Sequence, residues 1–188
     1  MPSLVARSTQ RRFSAARIRT ISRCWSRAAS KPVLRAAAIQ RKVLGPDHPL
    51  LGTTLNNLGQ LEYQRGRYAE AGALYLQALE IWKKALGPEH PALGDILQNM
   101  AENHAAQGEN AEADRLYQTT LALWRKTPPE FPRLAICLES YARLLRRLKR
   151  KQEASEMEAQ ANALLAQHVR EHPEAAQTID LRDLRATP

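Results

Sequence analysis

From Leu51 onward, apolar residues return every three or four positions, at Leu51, Leu55, Leu58 and Leu61, until Gly66 interrupts them. A second series starts at Ala71 and continues through Leu74, Tyr75, Ala78, Leu79 and Trp82. That spacing places the residues on one face of a helix, so the pattern predicts two helices of about 15 residues joined by a tight turn at Gly66. Upstream, Val33, Leu34, Ala37, Ile39 and Val43 predict a further helix from Pro32 to Leu44, stopped by Gly45-Pro46. Glycine just past a helix and proline beyond it are stop signals, and they recur as Gly87-Pro88 and, without the glycine, Thr127-Pro128. Each connector then ends in Pro49, Pro91 or Pro132. Proline suits the first turn of a new helix, where an N–H would have no partner.

The pattern is repetitive. Sliding the chain by 42 residues matches 18 of the 42 positions from Leu44 to Ala85, beginning with LGPDHP against LGPEHP. The matches include Leu55/Leu97, Asn57/Asn99, Gly66/Gly108, Leu74-Tyr75/Leu116-Tyr117 and Trp82/Trp124. A third copy follows one deletion in the connector, with Leu138, Tyr141 and Ala154 at equivalent positions, and a half copy precedes the first. The expected organisation is a basic, disordered extension over 1–30 and a helical repeat domain over 31–170. Within that domain a half repeat spans 31–46 and full repeats span about 47–88, 89–129 and 130–170, with a tail at 171–188. A helical hairpin cannot bury both its faces alone, so the copies should stack into an all-α solenoid. The small residues Gly59, Ala71, Ala78, Ala101, Ala113, Ala142, Ala154 and Ala161 would let helices approach closely.

The stretches Leu55-Asn56-Asn57-Leu58-Gly59, Gly66-Arg67-Tyr68-Ala69-Glu70-Ala71, Leu74-Tyr75 and Ala78-Leu79-Glu80-Ile81, followed by LGPEHP, resemble the tetratricopeptide repeat in its 42-residue kinesin light chain form. The resemblance covers about 32–168. It implies a right-handed superhelix of antiparallel helix pairs whose first helices line a concave face, where an asparagine of each repeat holds the backbone of a bound peptide. By motif that residue is Asn57 in the first copy and Asn99 in the second, with Ser140 in the third. The third copy departs from the pattern, carrying Lys149, Lys151 and Glu158 at the usual glycine, tyrosine and aromatic positions, as suits a terminal repeat.

Charge redraws this picture at one end only. The formal net charge is +9, yet residues 1–46 hold 11 Lys/Arg and no acid, whereas residues 47–188 hold 17 Lys/Arg against 19 Asp/Glu. The repeats are nearly neutral, so a nucleic-acid partner is disfavoured, although the basic start and the 143–151 cluster offer that alternative. Arg-rich, Ser-rich and acid-free composition over 1–30 is also that of a mitochondrial transit peptide. The expected location is otherwise cytoplasmic, the leader then being a plain extension or a start assigned too far upstream. No stretch approaches the ~18 apolar residues of a membrane span. The tail after Glu171 reads equally as a short closing helix or as disorder.

No catalytic or cofactor motif is present: there is no phosphate loop, HExxH or GxSxG, and the five histidines are scattered. Two cysteines without paired spacing, Cys24 and Cys137, read as reduced thiols. Asp47-His48 and Glu89-His90 suggest a metal, but copies about 10 Å apart cannot share one ion, so connector geometry and helix capping are the better account. The expected function is a non-enzymatic scaffold binding a peptide segment of another protein, without cofactor or metal. The candidate contacts are Asn57, Asn99, Asn56 and Gln60, with Arg143, Arg146 and Arg147 attracting acidic groups. Thr53, Asn56, Asn57, Gln60, Tyr63 and Gln64 would make one end of the groove neutral, Asp95, Gln98, Asn99 and Glu102 the middle mildly acidic, and the arginines the far end basic. Self-association through exposed end faces is a further alternative. Trp82 and Trp124 are expected to pack against the connectors that follow them, and Tyr75 and Tyr117 to be core.

Overall fold

The computed structural model describes residues 32–126 and 133–171. Among them are seven helices and no strand: α1 (32–44), α2 (Pro49–Gln64), α3 (Tyr68–Leu86), α4 (Leu93–Gln107), α5 (Asn110–Lys126), α6 (Arg133–Arg147) and α7 (Lys151–Glu171). This is an all-α helical repeat fold. The chain forms two compact units, one through Pro88 and one from Glu89. The expectations for 1–30, the 127–132 connector and the tail lie outside the described residues.

In the first unit α2 and α3 form a hairpin. Leu51, Leu55 and Leu58 of α2 meet Ala71, Tyr75, Ala78, Leu79 and Ile81 of α3, all buried. Gly59 is needed for this approach, because a Cβ there would lie 2.6 Å from Tyr75 Cε1. The second unit holds two hairpins, α4/α5 and α6/α7. Its core contains Leu93, Ile96, Ala101, Ala113, Leu116, Tyr117 and Trp124, then Leu138, Ala142, Leu144, Leu145, Ala154 and Ala161. The rings of Tyr117 and Tyr141 stack at 5.1 Å, joining α5 to α6. Every small residue expected to permit close packing is buried.

The three hairpin turns share one construction. Gly66 N–H donates to Tyr63 O and Arg67 N–H to Glu62 O; Gly108 and Glu109 repeat this onto Ala105 and His104, and Lys149 and Arg150 onto Arg146 and Leu145. This is the Schellman arrangement, which requires a left-handed residue after the helix. Gly66 and Gly108 have φ of 75° and 83°, but Lys149 adopts 64° with a side chain in place. Left-handed backbone costs an L-residue roughly 1–2 kcal/mol, while glycine adds unfolded-state entropy worth about half of that. Lys149→Gly should therefore stabilise the chain by up to about 1 kcal/mol, seen as a higher denaturant midpoint at unchanged slope.

The connectors depart from the expectation at Pro91 and at the two tryptophans. His48 Nδ1 accepts from Leu50 N–H and His90 Nδ1 from Ala92 N–H, each at 3.2 Å; His48 thereby caps the start of α2, whereas the His90 bond closes the turn before α4. Pro49 opens α2, whereas Pro91 lies in a turn two residues before α4 begins at Leu93. The tryptophans were expected on the connector that follows them, and each is bonded to the one that opens its own repeat. Trp82 Nε1 donates to Pro49 O at 3.0 Å and Trp124 Nε1 to Pro91 O at 2.9 Å. The reason is antiparallel geometry: the end of a second helix returns beside the start of its own first helix. The same return pairs Lys84 with Asp47 at 3.0 Å and Lys126 with Glu89 at 2.8 Å.

Candidate functional site

On α2 the residues facing away from the hairpin are Thr53, Asn57, Gln60 and Gln64, all exposed. The core residues Leu51, Leu55, Leu58 and Glu62 occupy the opposite face, so the helical period itself turns these amides outward. Asn57 and Gln60 thus present donors and acceptors to solvent, while Asn56 is half-buried and already engaged within the protein. Glu62 beneath them is buried but compensated, by Arg65 at 2.6 Å and by Arg67.

In the second unit the equivalent positions form two stripes on the first helices α4 and α6. The α4 stripe is Asp95, Gln98, Asn99 and Glu102, all half-buried. Asn99 is engaged within the protein, and Gln98 donates to Glu102 at 3.2 Å. The α6 stripe places Ser140 at the Asn99 register and Arg143 at that of Glu102. Ser140 is buried, and its Oγ accepts from Arg143 Nη2 at 3.2 Å. Arg133 of α6 bridges the stripes by pairing with Asp95 at 3.0 Å. Burial pushes the Asp95 carboxyl above its ordinary value, against the opposing pull of Arg133. Desolvation thus outweighs the ion pair here.

The three arginines of the expected basic end do three different things. Arg143 stays exposed beside Ser140. Arg146 pairs with Glu158 of α7 at 2.6 Å. Arg147 donates to Ala105 O at 3.0 Å, satisfying a carbonyl of the last turn of α4. Arg150, in the following turn, binds Asp114 at 2.9 Å and Glu153 at 2.6 Å. Among the described residues, Arg143 alone of the three is exposed with no partner beyond its own helix.

Two features were not anticipated from the sequence. Asp114 accepts from Tyr141 Oη at 2.7 Å as well as from Arg150, and its counterpart in the first copy is Gly72, so repeat comparison gave no signal. Gly94 and Gly52 seat the tryptophans: a Cβ on Gly94 would fall 2.7 Å from Trp124 Cζ2 and closer still to Nε1, and one on Gly52 2.5 Å from Trp82 Nε1. Here the signal existed, because these glycines recur at the same distance from the tryptophans in both copies.

No metal site emerges among the described residues, and none of their helices is long and apolar enough to cross a membrane. Cys137 is fully buried, and burial, with Glu102 and Asp95 nearby, pushes its thiol far up and leaves it inert.

Comparison with known proteins fits this geometry. Two crystal structures of a Podosopora anserina protein described as a kinesin light chain with nearly identical TPR-like repeats are similar to the chain. One, a single-substitution variant, is 28% identical with a TM-score of 0.62, covering 77% of this chain and 69% of that one. The other is 27% identical with a TM-score of 0.59, covering 76% and 68%. BtubC (BKLC) from P. vanneervenii shares the fold at a TM-score of 0.69 and 16% identity, and the chain spans 57% of its length. No curated protein matches. The family model described as tetratricopeptide repeat matches residues 33–71, 50–126 and 95–167, most of the chain, which therefore belongs to the tetratricopeptide repeat family.

Proposed function

We propose that the chain is a non-enzymatic interaction module that holds a peptide segment of another protein on its first helices. Membership of the family supports a protein-binding scaffold in general. The observation that carries the finer reading is the recurrence of a side-chain amide, Asn57 on α2 and Asn99 on α4, at one register turned away from the hairpin core. An amide both donates and accepts, so it can pair with a peptide backbone whatever the peptide's side chains. Gln60 and Asn56 extend the amide surface of α2. Arg143 is the cation available to an acidic side chain, while Arg146 and Arg147 contribute only by exchanging their present partners.

The test is selection of binding peptides from a random library on the full chain, with affinities then measured for Asn57→Ala/Asn99→Ala and for Arg143→Glu. Losing two backbone-directed hydrogen bonds at about 1 kcal/mol each should weaken binding by roughly tenfold or more, with helicity unchanged. Arg143→Glu should selectively weaken acidic peptides. If the double variant binds the selected peptides as tightly as the parent, the amide proposal is wrong.

A further inference from the structure

We propose that α1 carries a second docking face, separate from the amide surface, that accepts an acidic amphipathic helix of another protein. In the repeat register α1 corresponds to α3. In α3, Ala78 and Ile81 are 0% and 7% exposed. They are covered by α2, since a Cβ on Gly52 of that helix would stand 3.3 Å from Ile81 Cγ2. The same register in α1 holds Ala36 and Ile39, followed by Val43. Ala36 is exposed, Ile39 is 55% exposed and Val43 72%. With spacings of three and four these residues share one face. That face, which α3 uses to seat a first helix, is exposed in α1 among the described residues.

Charge selects the occupant. Arg35 and Lys42, seven positions apart, line one edge of the face, and Arg41 adds a third cation, all exposed. Residues 32–44 contain no carboxylate. In α3 the lysines of the same register are answered, Lys84 by Asp47 and Lys83 by Glu80, whereas among the described residues no carboxylate pairs with Arg35, Arg41 or Lys42. A second copy meeting this face through its own α1 would set cation against cation, and residues 1–30, with seven arginines and no acid, carry the same sign. A helix with leucine-like residues at the spacing of Leu51, Leu55 and Leu58, flanked by carboxylates, satisfies both the apolar face and its edge.

A labelled synthetic peptide with the leucine spacing of α2 and glutamate at its polar positions, and a control with lysine at those positions, would be titrated with the full chain by fluorescence anisotropy. The glutamate peptide should bind more tightly than the lysine peptide by about tenfold or more, and added salt should narrow the difference. Ile39→Ser should abolish binding, Arg35→Glu/Lys42→Glu should remove the preference for glutamate, and Asn57→Ala/Asn99→Ala should change neither. No binding of either peptide, equal binding of both, or full binding by Ile39→Ser would overturn the proposal. So would a dimer in sedimentation that Ile39→Ser dissolves, which would give the face to a second copy.

Discussion

Gly94→Ala is expected to destabilise the second unit by about 2 kcal/mol, the typical cost of forcing one extra carbon into a packed site. The added Cβ would fall on the Nε1–Cε2 edge of the Trp124 indole, a ring 2% exposed and tied through Nε1 to Pro91 O. A buried ring cannot move aside without giving up that hydrogen bond and its own packing. Alanine's better helix propensity returns about 1 kcal/mol at most. Gly52→Ala makes the same change in the first unit against Trp82, which is bonded likewise to Pro49 O but is only half-buried, so its cost should be smaller, about 1 kcal/mol. Chemical denaturation of both variants checks the ordering. Equal costs would mean that the burial of Trp124 does not control the effect. Gly94→Ala combined with Trp124→Leu should cost less than the sum of the two, because the carbon and the ring compete for one space.

Asp114→Ala should cost about 2 kcal/mol, the scale of losing charge-assisted hydrogen bonds to two partners in a partly buried site. Asp114 receives Tyr141 from α6 and Arg150 from the turn leading into α7, so its loss loosens three helices at once. The variant has a spectroscopic signature as well. The Tyr141 phenol lies above its ordinary value of 10.0, first through burial and next through its bond to Asp114. Removing the carboxylate should lower that value part of the way, burial remaining, and an ultraviolet titration reads the shift directly. The sign for stability follows: the folded chain holds the phenolic proton more tightly than the unfolded one. This contribution is therefore present below pH ~10 and lost as pH rises through the folded value. An unchanged tyrosine titration in Asp114→Ala would refute the hydrogen bond.

Most of the fold was legible because each repeat writes its own punctuation. Gly66 and Gly108 mark turns, Pro49 opens a helix, and the three-to-four spacing around Tyr75 and Tyr117 marks the core; all are local signals. Lys149 was legible as a departure, and the structure gives it a left-handed backbone without glycine. What periodicity could not supply was the direction in which a long side chain reaches. Arg143, Arg146 and Arg147 sit close in sequence and so read as one cluster, yet one reaches α7, one α4 and one only its own helix. Trp82 and Trp124 were expected on the connector that follows, as chain proximity favours, whereas the antiparallel return bonds each to the connector that opens its own repeat. Asp114 escaped notice because it has no counterpart in the first copy.

The tryptophan bond has a consequence for how such a chain is made and how it grows. Pro49 and Trp82, like Pro91 and Trp124, are 33 residues apart, and the ion pairs that close the same two repeats, Asp47 with Lys84 and Glu89 with Lys126, are 37 apart. Closing a loop of this length is entropically modest, so each hairpin can be secured soon after its last helix leaves the ribosome, before any later repeat has been synthesised. A duplicated copy of the coding segment would likewise arrive with its own closure intact, lengthening the array without needing a new partner elsewhere in the chain.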